Sequence, residues 1–504
     1  MNINPQTPVI IVAGQYTQRW QEGKMPLEPL RMIEKVFQET TQSYPNLAGK
    51  IDSVFITNIF GYQYGDAPTQ LCEILGLENV KYKEFSPLGG NTPQYHVNRV
   101  CQKLWEGELQ MAFLAGAEAT YSMAKAMKSG LKLDWTPAQK PSYIGSSAHA
   151  LKSNSADENR LGTTDLENNY ELYLLANAYP IFETALRYKF RHSPEEHQKH
   201  IGELYAPFSK VASQNQHAWQ QTPYTVEEIY KPSPDNRYIA YPYTKRMCAN
   251  NQVDQAAFLV LTTESIANEL QIPQKQRVYP IGGADAHDIW DFACRPDIAK
   301  SEAIEWAGKM ALEKAHLTLE QVDAFDVYSC FPVAVQVARE ALGILPTDSR
   351  PLTLTGGLAY FGGAWNNYSM HAIAQAVENI RQKPQNILIT ALGWYITKHS
   401  VGIYSANPNP NPDFTYTFKE FHSTIEVLNQ VNAPSFEIVG YTLIYERDGS
   451  PLRGIALGKV GEARAWAFIE GSKERLACLE TEEWVGKTLP VYFDEKRKRN
   501  IVVL

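Results

Sequence analysis

The sequence predicts an α/β fold of two layered halves with a long insertion, followed by a small C-terminal antiparallel β-barrel. Two stretches alternate short apolar, β-branched runs with helical periods, the pattern of stacked sheets and helices. A segment rich in Tyr, Asn, Ser, His and Pro separates them, and a run of Asn-Pro pairs isolates a tail of short alternating strands.

Residues 8–15 (PVIIVAGQ) predict a buried first strand, being apolar at nearly every position. Residues 29–42 place Leu30, Ile33, Val36 and Phe37 on one helical stripe. Residues 51–57 predict the next strand, and residues 86–119 a Gly-rich turn, an amphipathic helix and a buried strand. Residues 121–243 break this rhythm and predict a loop-rich insertion over the core, where substrate selectivity would reside. The rhythm returns in residues 255–270 and 277–286 and runs to Ser405. The Asn-Pro pairs that follow disfavour helix and predict an extended connection. Beyond it, apolar and polar residues alternate around Asp448-Gly449, giving the short strands of a barrel.

At 504 residues the chain exceeds one compact core. The boundaries fall at 1–270 for the first half with its insertion at 121–243, 271–405 for the second half, 406–433 for a linker and 434–504 for the barrel. With 44% hydrophobic and 20% charged residues and a net charge of -8, the composition is that of a globular protein with no nucleic-acid partner. The first residues carry no basic leader and only a five-residue apolar run, so a cytoplasmic location is expected. No stretch of about 18 apolar residues predicts a membrane span. The six cysteines lack metal or redox spacing and read as reduced thiols, and His192, His197 and His200 lie in a charged helical segment expected to face solvent. No metal is expected.

Four segments carry a resemblance: residues 86–94 (SPLGGNTPQ), 326–343 (DVYSCFPVAVQVAREALG), 352–374 (LTLTGGLAYFGGAWNNYSMHAIA) and 391–405 (ALGWYITKHSVGIYS). Their order and spacing resemble the four catalytic loops of the thiolase superfamily, in the branch of the sterol-carrier-protein thiolases. The chain is similar in particular to the thiolase-like proteins of type 1. The resemblance implies a layered αβαβα core, an OB-like C-terminal barrel, no tightly bound cofactor, and a coenzyme A thioester as substrate or ligand.

It also exposes losses. Gly90 stands where the family has its acyl-accepting cysteine, Gly363 where it has the activating histidine, and Ala391 where it has a second acid/base. Acyl transfer needs a nucleophile, a base and an oxyanion hole, and glycine supplies no side-chain atom. Thr92 has a hydroxyl but no base beside it in sequence. In Tyr328-Ser329-Cys330-Phe331 only Cys330 and Phe331 match the family's His-Asp-Cys-Phe loop. Cys330 precedes a helix whose dipole would favour its thiolate, and is otherwise a small buried hydrophobe. The candidate catalytic residues are therefore Cys330 with His399 or His371. The candidate ligand-binding residues are Gly90, Asn91, Tyr328, Phe331, Gly363, Asn366 and Asn367. The two asparagines would hold a ligand carbonyl or cap the next helix.

The expected function is thioester binding without ordinary thiolase activity. An acyltransferase of lipid or secondary metabolism with a displaced site at Cys330 is one alternative. A non-catalytic partner of an active homologue is another.

Overall fold

The structure, a computed structural model, describes residues 3–142, 144–146 and 160–504. Strands β1 (Pro8–Thr17), β2 (Ser53–Ile56), β3 (Tyr82–Phe85), β4 (Met111–Ala119) and β5 (Gly145–Ser146) precede an insertion that ends in the hairpin β6 (Tyr238–Tyr241) and β7 (Tyr243–Thr244), and β8 (Asp254–Thr263) follows. The first sheet has the order β1-β8-β4-β2-β3-β5. β4 and β8 are buried at every position, which is why their centres, residues 111–117 and 256–261, read as apolar runs.

The second half supplies β9 (Tyr279–His287), β10 (Ala324–Asp326), β11 (Asn386–Gly393) and β12 (Lys398–Ser405), and β13 (Phe418–Glu420) completes a sheet of order β10-β11-β12-β9-β13. Two helices, Thr92–Trp105 and Tyr368–Gln382, pack between the two sheets and touch both. Helix Pro29–Thr41 covers the outer face of the first sheet, and helix Glu302–Ala315 that of the second. The result is five alternating layers. Helix Pro29–Thr41 buries Leu30, Ile33, Val36 and Phe37, the stripe its spacing predicts.

The central helix Thr92–Trp105 is buried almost all round, and its charges are neutralised locally. His96 Nε2 lies 3.1 Å from Glu84 Oε1 on β3, and Arg99 approaches the same carboxylate at 3.8 Å. Burial alone would raise the Glu84 carboxyl. His96, Arg99 and the Tyr82 hydroxyl outweigh it and hold Glu84 down to about 2.

The insertion is more helical than its composition predicts. It contains helices Leu175–Phe190 and Pro194–Gln214. Pro180 and Pro207 stand inside them, where proline ordinarily ends a helix, so a reading by periodicity stops short. His197 corrects another expectation. It is buried rather than solvent-facing, and its Nε2 lies 2.6 Å from the buried Glu183 carboxylate, which also accepts the Tyr243 hydroxyl at 2.7 Å. A buried carboxylate needs such partners, and the inward histidine supplies one.

The linker is not merely extended. β13 pairs with β9, and β14 (Val427–Leu428) pairs with a barrel strand. The barrel itself closes through β15 (Ala433–Tyr445), β16 (Pro451–Val460), β17 (Ala463–Glu470), β19 (Arg499–Val503) and β18 (Thr488–Asp494), which returns to β15. Four of these junctions are antiparallel, and β17 with β19 is parallel. The insertion's β6 adds to β15, so barrel and insertion share hydrogen bonds. Among the described residues no helix is long and apolar enough to cross a membrane.

Candidate functional site

Four chain segments meet at one end of the two central helices. The Gly89-Gly90 turn follows β3 and leads into helix Thr92–Trp105, where Pro93 sits in the first turn and loses no needed N–H. Residues 328–331 follow β10, and the Tyr328 N–H donates to Thr390 Oγ1 at 3.0 Å, tying this segment to β11. Residues 356–367 precede helix Tyr368–Gln382, and Leu392 to Tyr395 span the end of β11 and the turn after it.

They surround a cavity of about 1330 Å³. Gly90, Tyr328, Cys330, Phe331, Asn366 and Leu392 line it from the core. The insertion roofs it through Leu174, Tyr179, Trp219 and Tyr224 among others, and Ile444 of β15 reaches it from the barrel. Its rim carries Arg237 and Lys245, both exposed, and the half-buried Arg246, whose guanidinium lies 4.3 Å from the Tyr224 ring centroid. Glu171 at the rim is ion-paired with Arg453 of β16.

Position 90 is occupied in space by another residue. A Cβ built there would overlap the Tyr328 hydroxyl and stand 2.8 Å from its Cζ and 2.6 Å from the Leu392 carbonyl oxygen. Glycine is therefore required by close approach. At Gly363 a Cβ would stand 2.6 Å from Asn251 Oδ1, the end of a side chain that can turn aside. Ala391 is fully buried on β11 across from Ser400. Thr92 donates its hydroxyl to the Gly89 carbonyl at 2.8 Å, which commits its only proton.

Asn366 Oδ1 accepts the Gly89 N–H at 2.9 Å while its Nδ2 donates to the Asn58 carbonyl at 2.9 Å. Asn367 Nδ2 donates to the Gly116 carbonyl at 2.7 Å. These amides lace the two halves together. Asn367 is at the cap position of helix Tyr368–Gln382 but makes no side-chain cap, so the capping expectation is corrected. Asn91, Gly363, Asn367, His371 and His399 are not in the cavity wall.

Cys330 is in the wall, but it is not activated. Burial pushes its thiol up to about 12, outweighing the hydrogen bonds from Tyr179 and from the Phe331 and Cys330 backbone that would favour a thiolate. His371 is buried against the Phe361 ring, its Nδ1 3.0 Å from Gln15 Oε1, and burial lowers it to about 3. His399 is buried on β12 across from Leu392, and burial lowers it to about 4. Among the described residues lining the cavity there is no histidine. The alkylation of Cys330 by iodoacetamide at neutral pH is accordingly expected to be about a hundredfold slower than that of a free cysteine. A raised thiol pKa means a protonated group below it, so the rate should climb steadily to about pH 11. Peptide mapping across pH checks this, and a plateau near pH 8 contradicts it.

Aromatic residues stand out among the wall residues that sequence reasoning missed, with Tyr179, Trp219, Tyr224, Trp365 and Trp394 among them. For Tyr179, Trp219 and Tyr224 the one available signal was the aromatic content of residues 121–243, which gives composition without placement; Trp365 and Trp394 lie outside that segment.

A family model described as thiolase C-terminal domain-like matches residues 284–389. Among solved structures, a monomeric SCP2-thiolase-like protein type 1 from Mycobacterium smegmatis is 28% identical, with a TM-score of 0.81 and 100% of each chain covered. The aldolase Ltp2-ChsH2(DUF35) is 14% identical with a TM-score of 0.60, covering 80% of this chain and 99% of its own. The dimeric peroxisomal thiolase of Saccharomyces cerevisiae is 15% identical with a TM-score of 0.56, covering 80% and 98%. Among curated proteins none matches the chain.

Proposed function

This chain belongs to the thiolase superfamily, as a thiolase-like protein of type 1, and we propose that it binds a coenzyme A thioester in the central cavity without thiolysis or Claisen condensation. The observation that carries this reading is the fit of Tyr328 into the space a side chain at position 90 would fill. The place of an attacking atom is taken by a phenol, and burial raises that phenol's pKa, which leaves it a proton donor rather than a nucleophile.

The remaining residues suit a ligand of this class. Arg237, Lys245 and Arg246 at the rim match the phosphates of coenzyme A, and the aromatic interior matches an apolar acyl group. In this reading the Tyr328 hydroxyl, at the Gly90 turn, donates to the thioester carbonyl. The protonated Cys330 and the absence of a histidine from the described wall argue against a displaced acyltransferase site.

Calorimetric titration of the full chain with acyl-CoA tests the reading, which requires saturable binding. Tyr328→Phe removes one hydrogen bond and keeps the ring that fills the space. It is expected to weaken binding about fivefold while leaving the melting temperature within a few degrees. An unchanged affinity would remove Tyr328 from the ligand site.

A further inference from the structure

We infer that the acyl group this cavity accepts is aryl, a flat unsaturated ring, rather than a saturated chain or ring. The inference rests on the thioester reading above and narrows its ligand.

Roughly a third of the residues lining the cavity are aromatic, against 11% of the chain. Several pairs among them are near-parallel, whereas Tyr121–Trp219 and Tyr224–Tyr360 are tilted. Tyr179 stacks on Phe331 with centroids 4.4 Å apart and planes 23° apart. Phe60 stacks on Trp365 at 4.1 Å and 25°. Trp394 and Tyr395 are nearly parallel, at 13°, with centroids 6.5 Å apart.

The backbone is also bent to present two of these rings. Trp365 has φ 45° and Trp394 φ 60°, a left-handed conformation that bulky side chains seldom adopt. Such strain persists where the surroundings enforce it, and it gathers at functional sites. Gly162 packs against Trp394, where a Cβ would stand 2.6 Å from the indole Cγ, so no side chain fits between them. The wall thus includes near-parallel ring pairs, two of its tryptophans being held by left-handed backbone.

A saturated and an unsaturated ring of one size bury similar area, so area does not separate them. Offset and edge-to-face contacts do, because only the unsaturated ring has the quadrupole to complement these walls. A cavity built for saturated chains gains nothing from aligned aromatic planes and has no reason to hold two tryptophans in strained backbone.

The test is calorimetry on the full chain with benzoyl-CoA and cyclohexanecarbonyl-CoA, which share the carbon skeleton and the coenzyme. Benzoyl-CoA is expected to bind about tenfold tighter. Trp394→Leu and Trp365→Leu, each confirmed as folded by its melting transition, are expected to cut that preference below about threefold. Equal affinities, or tighter binding of the cyclohexyl ester, would overturn the aryl inference and leave the thioester reading standing. A preference that survives both substitutions would overturn the assignment to these walls. No binding of either ester would overturn both readings.

Discussion

Gly90→Cys is expected to restore no thiolysis and to destabilise the protein by about 1–3 kcal/mol, the usual cost of overpacking a filled site. Two obstacles meet the new side chain. The first is the Tyr328 ring end, which is buried and packed edge-on against Tyr368 with centroids 5.5 Å apart. The second is the Leu392 carbonyl oxygen, 2.6 Å from the new Cβ, which belongs to the backbone of β11 and cannot rotate away. Adding Tyr328→Ala removes only the first obstacle. Tyr328→Ala itself empties a buried site at a cost of about 3–5 kcal/mol, so the double variant should lose less than the sum of the two single variants, by a coupling of about 0.5–3 kcal/mol between neighbouring positions. It should remain inactive, because Gly363 and Ala391 still offer neither base nor acid. Urea denaturation with a thiolysis assay on acetoacetyl-CoA reads both effects. A single variant as stable as the parent, or one that turns over, would contradict the account.

The second large effect is expected at the joint between insertion and barrel. Arg187, on helix Leu175–Phe190, is almost fully buried and donates to Glu483 at 2.8 and 3.1 Å, to the Tyr241 hydroxyl at 3.0 Å and to the Tyr441 hydroxyl at 2.9 Å. Arg187→Met keeps most of the volume and removes every one of these donors. Breaking a buried pair on one side costs about 3–5 kcal/mol, and here Glu483 is partly solvated, which places the expected loss near 3 kcal/mol. Affinity for the thioester should fall as well, since Ile239 beside this joint and Ile444 of β15 line the cavity. Arg187→Lys restores charge without the planar fork and should recover only part of the stability. A melting temperature unchanged in Arg187→Met would mean that the barrel docks by other contacts.

Much of the architecture was legible because it follows from periodicity. The stripe Leu30, Ile33, Val36 and Phe37 and the apolar runs of β4 and β8 answer directly to burial on one face or on two. The insertion was less legible, because Pro180 and Pro207 inside its helices imitate breaks. The convergence of Gly90, Tyr328, Cys330 and Asn366 on one cavity accords with the segments singled out by resemblance. Sequence could not reveal that Tyr328 fills the space at position 90, since the two residues are 238 positions apart and meet only through packing between the halves. Nor could it say whether the helix end or burial governs Cys330. The thiol's state depends on how deeply it is enclosed, and burial raises it.

The central claim is that a thioester is held and not attacked. Native mass spectrometry of the full chain with an acyl-CoA, followed by denaturation of the same sample, tests it most directly. The account predicts a one-to-one complex in the native spectrum and an unmodified chain after denaturation. A covalent acyl adduct, on Cys330 or elsewhere, or no complex at all, would contradict it.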